Sequence, residues 1–268
     1  MIEKSILNSD GTVEIVPHGT GFLFTDSLLG SFLVTNKHIL DHRDSIFIRL
    51  NKNHFNSKKD TLRYYRQPYS LIGQDSKTIW KGHPNLDIDI AALRLRSTNL
   101  EVDIRFLEYS RFREFEDLHV GEDIYFFGFP LGLTGPTGKE DFPLLRSGIV
   151  AYKSIDTTRI AGIIIDSTMF LIDGFSFGGN SGSPVLTRVT REKAALVGIV
   201  KGHVPLNRQF VIGKTLFFVQ PSGDTLFLNA IPDTIHFEQN TGLAIAICAD
   251  RIRETLEQFR KEDSLKSK

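Results

Sequence analysis

Gly178-Gly179-Asn180-Ser181-Gly182-Ser183-Pro184, followed by the strand-like Val185-Leu186, is the run on which the reading of this chain turns. A serine hydroxyl is a poor nucleophile until a base takes its proton. It also needs donors aimed at the oxyanion that develops during attack. A glycine two positions before the serine lets the backbone turn so that two N–H groups face one point. A glycine just after it leaves room for a substrate. The run therefore has the local chemistry of a nucleophile with its oxyanion loop. A glycine-rich turn carrying an ordinary serine fits these residues equally well. A base and an orienting acid elsewhere in the chain decide between the two.

Of eight histidines, His38 has the most suggestive setting, Phe32-Leu33-Val34-Thr35-Asn36-Lys37-His38-Ile39-Leu40. An apolar strand pattern ends there and the histidine follows on a short turn, held rigidly at the edge of a cleft. The acid is expected in Asp87-Ile88-Asp89-Ile90-Ala91-Ala92-Leu93-Arg94-Leu95. A carboxylate just ahead of an apolar strand can lie against the second nitrogen of a histidine, fix its tautomer and stabilise the imidazolium. Asp87 and Asp89 share a face of an extended chain, so spacing does not choose between them. The order histidine, aspartate, serine is that of the chymotrypsin arrangement; α/β-hydrolases and subtilisins run differently.

The 268 residues carry 32 basic and 32 acidic side chains, so the formal charge is zero. Such a balance argues against a general binder of nucleic acid. The one cysteine, Cys248, excludes an internal disulfide framework and a zinc ribbon. No apolar run approaches the ~20 residues of a membrane span. The opening Met1-Ile2-Glu3-Lys4-Ser5 lacks a secretory pattern, so a cytoplasmic protein without membrane contact is expected.

Short apolar runs separated by polar or glycine-containing breaks dominate the chain: 20–24, 31–35, 45–50, 88–95, 123–129, 148–152, 161–165, 195–200, 215–219 and 242–248. Rich in Val, Ile and Phe, they read as strands. Residues 51–80 and 204–240 read as long loops, with Thr215–Val219 and 225–228 able to pair as a hairpin in the second. The charged stretch 108–120 reads as a crossing between two halves. At the C-terminus, Ile252, Leu256 and Phe259 have helical spacing, Asp250 is the expected N-cap, and 261–268 reads as a frayed tail. The chain is expected to be all-β with one terminal helix.

With these motifs in place the sequence resembles the trypsin/chymotrypsin-like serine protease superfamily, and within it the bacterial disulfide-free Deg-type and glutamyl endopeptidase-like peptidases. Val34-Thr35-Asn36-Lys37-His38-Ile39 is similar to the histidine motif. Asp89-Ile90-Ala91-Ala92-Leu93 is similar to the aspartate motif and selects Asp89. Residues 173–184 (DGFSFGGNSGSP) are similar to the segment around the nucleophile. Gly19-Thr20-Gly21-Phe22 and Phe127-Gly128-Phe129-Pro130-Leu131-Gly132 are weaker matches in the same order. The resemblance implies two perpendicular six-stranded Greek-key β-barrels: residues 1–112 carrying His38 and Asp89, and 113–249 carrying Ser181, with 250–268 as helix and tail. It implies His38 as general base, Asp89 as its orienter and Ser181 as nucleophile. The N–H groups of Gly179 and Ser181 would form the oxyanion hole, with no metal or other cofactor.

Asn180 stands where zymogens of the trypsin type carry an aspartate that pairs with a new amino terminus, so that route of activation is not expected. No PDZ domain is expected after the helix, unlike in full Deg-type proteases. The primary pocket is expected at Phe175, with Val200, Lys201 and Gly202 as one wall and Ala244 as another. No carboxylate lies there, which points to a small or medium apolar side chain rather than Arg or Lys. His203, adjacent to this wall, would suit an acidic side chain.

Three other readings compete. In an α/β-hydrolase, Asp224 or Asp233 with His236 would complete a Ser…Asp…His order, but alternating helices are missing. His38 and His42 as metal ligands lack the glutamate of H-E-x-x-H, since Ile39 stands in its place. The third is a peptide-binding domain that stays latent until an activating protein partner orders its oxyanion loop. In every protease reading the partner is a protein or peptide substrate.

Overall fold

Along Ser45–Asn51 the burial alternates: Ile46, Ile48 and Leu50 are buried, while Ser45, Phe47 and Arg49 face the other way. That period of two is what a strand with one covered face produces, and it recurs through most of the chain. The computed structural model describes residues 1–53, 62–96, 101–134, 141–160, 162–188, 194–212, 215–219, 225–229 and 233–266, with side chains described except at 188, 206–239 and 266.

The first half contains β1 (Ile2–Leu7), β2 (Val13–Gly19), β3 (Phe22–Asp26), β4 (Gly30–Thr35), a one-turn helix α1 (Lys37–Leu40), β5 (Ser45–Asn51), β6 (Tyr64–Ser70), β7 (Trp80–Gly82), β8 (Ala91–Arg94) and β9 (Leu107–Glu108). They form a four-stranded sheet, β2-β1-β5-β6, and a five-stranded sheet, β7-β8-β4-β3-β9. Ile2, Ile46 and Ile48 of the first sheet pack with Leu33, Ala91 and Leu93 of the second and with Ile39 and Leu40 of α1. The closed six-stranded ring expected for residues 1–112 is not formed by these described strands; they stand as two sheets around a shared core.

The second half contains β10 (Asp123–Gly128), β11 (Leu144–Lys153), β12 (Thr158–Ile160), β13 (Ile163–Ile165), β14 (Met169–Asp173), β15 (Pro184–Arg188), β16 (Ala194–Ile212), β17 (Thr215–Val219), β18 (Thr225–Asn229) and β19 (Asp233–Cys248). Here the strands β10-β11-β14-β19-β16-β15 do close into a six-stranded barrel. Its core is Ile124, Phe126, Val150, Phe170, Ile172, Val185, Val197 and neighbours. The final helix, α2 (Ala249–Lys266), does not stand apart. Its Ile252, Leu256 and Phe259 enter one cluster with Phe24, Phe32, Val34 and Ile90 of the first half and Leu196, Ile199 and Ile247 of the second.

Several expectations change. Residues 204–240 are not a loop: β16 and β19 continue past the barrel as antiparallel arms, Pro205 pairing with Asn240 and Ile212 with Asp233. The hairpin at their end is the expected one, β17 with β18. Residues 51–80 contain β6, which pairs with β5 along its whole length; residues 54–61 lie outside the described residues. The charged stretch 108–120 is anchored at three points while most of its other residues are exposed: Phe115 and Leu118 are buried and Phe112 bridges to Leu196. The helix runs to Lys266, beyond the expected fraying point. Asp250 does not cap it by a side-chain bond; its Oδ2 accepts from Phe115 N at 3.0 Å. Among the described residues no helix is long and apolar enough to cross a membrane.

Phe32 is fully buried, with its ring centroid 4.9 Å from that of Phe259. Truncating it opens a cavity where β4 meets α2. Phe32→Ala is expected to lower unfolding free energy by about 3–5 kcal/mol, read from urea denaturation.

Candidate functional site

β4 ends at Thr35 and the chain turns through α1, which presents His38. The strand ahead is buried and Ile39 and Leu40 are buried behind, so the histidine sits on a fixed turn while its side chain is 48% exposed. Asp89 lies between the buried Ile88 and Ile90 at the entrance to β8. Its Oδ2 is 2.6 Å from His38 Nδ1. Its Oδ1 accepts from the His38 backbone N–H at 2.9 Å. Asn36 Nδ2 donates to the Asp89 carbonyl at 2.8 Å. One carboxylate thus grips both the ring and the backbone of the histidine, which fixes ring orientation and leaves Nε2 outward. Asp87 is exposed and makes no such contact, so the structure resolves the choice that spacing left open.

Ser181 lies on the loop between β14 and β15. Gly179 has φ +95° and Gly182 φ +88°, the left-handed region that favours glycine. A Cβ on Gly182 would lie 1.9 Å from the Thr20 carbonyl oxygen, and one on Gly179 would lie 2.2 Å from that of Phe129. The loop is therefore pressed against two backbones with no room for a side chain at either glycine. Leu131 N donates to the Gly178 carbonyl at 2.6 Å. The following peptide is trans, so the Gly179 N–H points away from that contact. Among the described residues the N–H groups of Gly179 and Ser181 have no protein acceptor, while those of Asn180, Gly182 and Ser183 are all bonded. Two N–H groups of one tight turn are thus left able to bond an added acceptor.

Thr20 joins the serine loop to the histidine side. Its N–H donates to the Ser181 carbonyl at 2.9 Å. Its hydroxyl donates to the Gly179 carbonyl at 2.6 Å and accepts from Phe129 N at 3.0 Å. The sequence marked this stretch only as a motif match; a buried threonine between two glycines was the available signal for its role. Ser181 Oγ donates to the Lys201 carbonyl at 3.1 Å, and no hydrogen bond joins it to His38. Asn180 is fully buried, and its side-chain amide makes no protein hydrogen bond.

The expected pocket residues fall around the same loop. Phe175 is 54% exposed and stacks on Phe177. A Cβ on Gly242 would lie 3.5 Å from the Phe175 ring, so that ring lies over the start of the β19 barrel segment. Lys201 sits at an irregularity in β16 between Val200 and Gly202. Val200 and Ala244 are wholly buried in the barrel core. His203 pairs with Ala244 across β16 and β19. Of the alternative residues, His42 is exposed and pairs with Asp41; Asp233 lies on β19, and Asp224 is outside the described residues. Away from this site, Glu114, Glu116 and Asp250 bring carboxylate oxygens within 4.8 Å of one another, with Arg253 2.7 Å from Glu114. Burial and then the hydrogen bond with Glu114 push the Asp250 carboxyl up to about 6.

Sequence reasoning missed His18. Arg43 Nε donates to His18 Nε2 at 3.1 Å, which requires a neutral ring. Burial, then the charges of Arg43, Lys4 and His38, lower its pKa to about 4.

Thr20→Val strips the hydroxyl from two buried backbone groups and is expected to cost about 2–4 kcal/mol, with Thr20→Ser recovering most of it, as read by chemical denaturation. His18 has a folded pKa below its unfolded value, so the folded state binds fewer protons between them. Its contribution is complete above about pH 6.5 and declines as pH falls towards about 4. The stability difference between wild type and His18→Gln should therefore shrink on acidification through this window, measured by thermal melts at stepped pH.

The trypsin-like peptidase domain family matches residues 19–199. No curated protein matches the chain. Among solved structures, a variant of the HtrA-type protease AlgW with a decapeptide aligns at 16% identity and TM-score 0.46, over 90% of this chain and 50% of that one. AlgW with a tripeptide aligns at 17% identity and TM-score 0.46, over 93% and 56%. The chain thus spans little more than half the length of these proteins. The family match covers the histidine turn, the aspartate and the serine loop together, and this chain belongs to the trypsin-like peptidase domain family.

Proposed function

We propose that this protein is a serine endopeptidase in which Ser181 is the nucleophile, His38 the general base and Asp89 its orienter. The observation that carries the reading is the two-point grip of Asp89 on His38, 2.6 Å to the ring and 2.9 Å to the backbone. With Nδ1–H held by the carboxylate, Nε2 is the basic nitrogen and can take the Ser181 proton. The serine oxygen then attacks the scissile carbonyl carbon. The carbonyl oxygen becomes an oxyanion received by the N–H groups of Gly179 and Ser181. The imidazolium returns its proton to the leaving amine, the C–N bond breaks and an acyl-enzyme remains. Water, deprotonated by the same histidine, releases the acid. No step requires a metal or cofactor.

The reading assigns His38 and Asp89 to the half at 1–112 and Ser181 to that at 113–249. It takes Phe175 as the floor of the primary pocket and Lys201 and Gly202 as its wall, with the fully buried Val200 and Ala244 behind them, suited to a small or medium apolar side chain of a protein or peptide substrate. A cytoplasmic setting fits a single buried thiol, Cys248, whose pKa burial pushes up to about 11.

One observation favours a second reading. Ser181 Oγ rests on the Lys201 carbonyl instead of on His38. A resting state of this kind would be released when a substrate N–H, or an activating protein partner, takes that carbonyl. The serine would then rotate about χ1 towards Nε2.

A fluorophosphonate probe separates these cases. The active enzyme is expected to label at Ser181, to lose labelling in Ser181→Ala, and to lose about 10⁴-fold in kcat on peptide in Asp89→Asn. Labelling that appears only with an added peptide or protein supports the resting state. Absence of Ser181 labelling under all these conditions overturns the peptidase reading.

A further inference from the structure

Helix α2 meets the strand leading to Asp89 through an ordered set of contacts. Three consecutive residues, Lys81, Gly82 and His83, face Glu262, Gln258 and Glu254, one helical turn apart each. Lys81 Nζ is 2.6 Å from Glu262 Oε2. Gln258 Nε2 donates to the Gly82 carbonyl. His83 Nε2 is 2.7 Å from Glu254 Oε2. Beside them, Arg94 of β8 holds Asp263 through two bonds of 3.1 and 2.6 Å. A helix advances about 6 Å over four residues. Successive residues of a strand advance about 3.3 Å, so the long side chains of α2 converge on the shorter strand.

His83 transmits this grip to the loop. It is buried, and its backbone N–H donates to the Ile90 carbonyl at 3.0 Å, closing 83–90 at its base. Its Nδ1 accepts from Asn85 N–H at 3.0 Å. Nδ1 also lies 3.3 Å from the Asn85 carbonyl. The Glu254 carboxylate only accepts, so Nε2 carries the proton of that contact and donates it. Asn85 in turn accepts from the N–H groups of Asp87 and Ile88. Ile88 and Ile90, on either side of Asp89, are buried against Ile252, Leu256 and Phe259 of α2. Both the polar frame and the apolar anchors of the Asp89 loop therefore end on the C-terminal helix.

We propose that helix α2 is the clasp that positions Asp89 against His38, with His83 and Glu254 as its positioning residues. The inference rests on the peptidase reading only for its catalytic consequence. The placement of Asp89 against His38 is a property of the fold whatever the activity. Loosening Asp89 lengthens its 2.6 Å bond to His38 Nδ1 and frees the ring to turn.

The test compares Glu254→Ala, Glu254→Gln and, as a control on the same helix, Glu257→Ala, whose side chain bonds Arg260 instead. Glu254 is 43% exposed, so truncation leaves the core intact. The readout is the low-field proton NMR resonance of His38 Nδ1–H, whose shift reports its bond to Asp89, assigned with His38→Ala and calibrated with Asp89→Asn. Glu254→Ala is expected to move that resonance upfield, in the direction of Asp89→Asn. Glu254→Gln, whose amide oxygen still accepts from His83, and Glu257→Ala should stay at the wild-type value. On peptide substrate, kcat should fall about 10- to 100-fold in Glu254→Ala with KM little changed. A wild-type Nδ1–H resonance in Glu254→Ala, with only a lower melting temperature, overturns the clasp and leaves a stabilising contact. A shifted resonance in a protein whose Ser181 never labels keeps the clasp and overturns the peptidase reading alone.

Discussion

Thr20 uses all four of its hydrogen-bonding groups, and the site depends on them. Its N–H holds the Ser181 carbonyl at 2.9 Å and its carbonyl receives the Thr35 hydroxyl at 2.7 Å. Its own hydroxyl lies between the Gly179 carbonyl and the Phe129 N–H, at 2.6 and 3.0 Å. Thr35 is the last residue of the strand that delivers His38; Gly179 and Ser181 carry the two unbonded N–H groups of the serine loop; Phe129 directly follows β10. One buried side chain and the two peptide units that flank it thus fix three segments drawn from two halves of the molecule. Gly182 is forced by the same arrangement, because the Thr20 carbonyl occupies the place of any Cβ there.

Bonds of this kind contribute little net stability, about 1 kcal/mol each, because the unfolded chain bonds to water instead. Their importance is in the alternatives they exclude: a buried carbonyl or N–H left unpaired costs about 1–3 kcal/mol. The apolar clusters supply cohesion, and a cluster of Phe and Ile side chains tolerates small shifts that a reacting serine cannot. The division of labour is visible in the helix as well. Ile252, Leu256 and Phe259 hold α2 against both halves. The opposite contacts, from Glu254 to Asp263, fix its position along β7 and β8.

What the sequence disclosed follows from which forces are local. The serine loop was legible because its glycines answer a local steric demand, left-handed φ beside crowding backbone. The strands with Val, Ile and Phe runs were legible as short β-branched and aromatic stretches between polar or glycine breaks. β1 and β2 were not read as strands, since Glu3, Lys4, Glu14 and His18 interrupt the apolar pattern. Glu3 is nevertheless fully buried, paired with Arg49 and Arg66 at 2.6 Å each, a compensation that only neighbouring strands reveal. Period two could not separate Asp87 from Asp89, because both lie on one face. Asn36, supplied by a turn 53 residues earlier, helps to separate them. The long arms at 204–240 were missed for a similar reason: their strand character is expressed in cross-strand pairing, which composition does not encode.

The resting position of Ser181 follows from the barrel rather than from the loop. Val200 and Gly202 pair with Ala246 and Ile245, neighbours on β19, so Lys201 is the extra residue of a bulge. A bulge releases one residue from the ladder and re-aims its groups. The pairing on either side is retained: Gly182 N donates to the Val200 carbonyl, and Val200 N to the Ser183 carbonyl, both at 2.9 Å. The serine loop is therefore stitched to β16 immediately before the bulge. The Lys201 carbonyl, withdrawn from the ladder, meets the nearest donor, the Ser181 hydroxyl at 3.1 Å. A substrate strand running beside β16 would supply a backbone N–H to that carbonyl. The same event that seats the peptide would then release the hydroxyl towards His38, so occupancy of the cleft and readiness of the nucleophile would be coupled through one backbone oxygen.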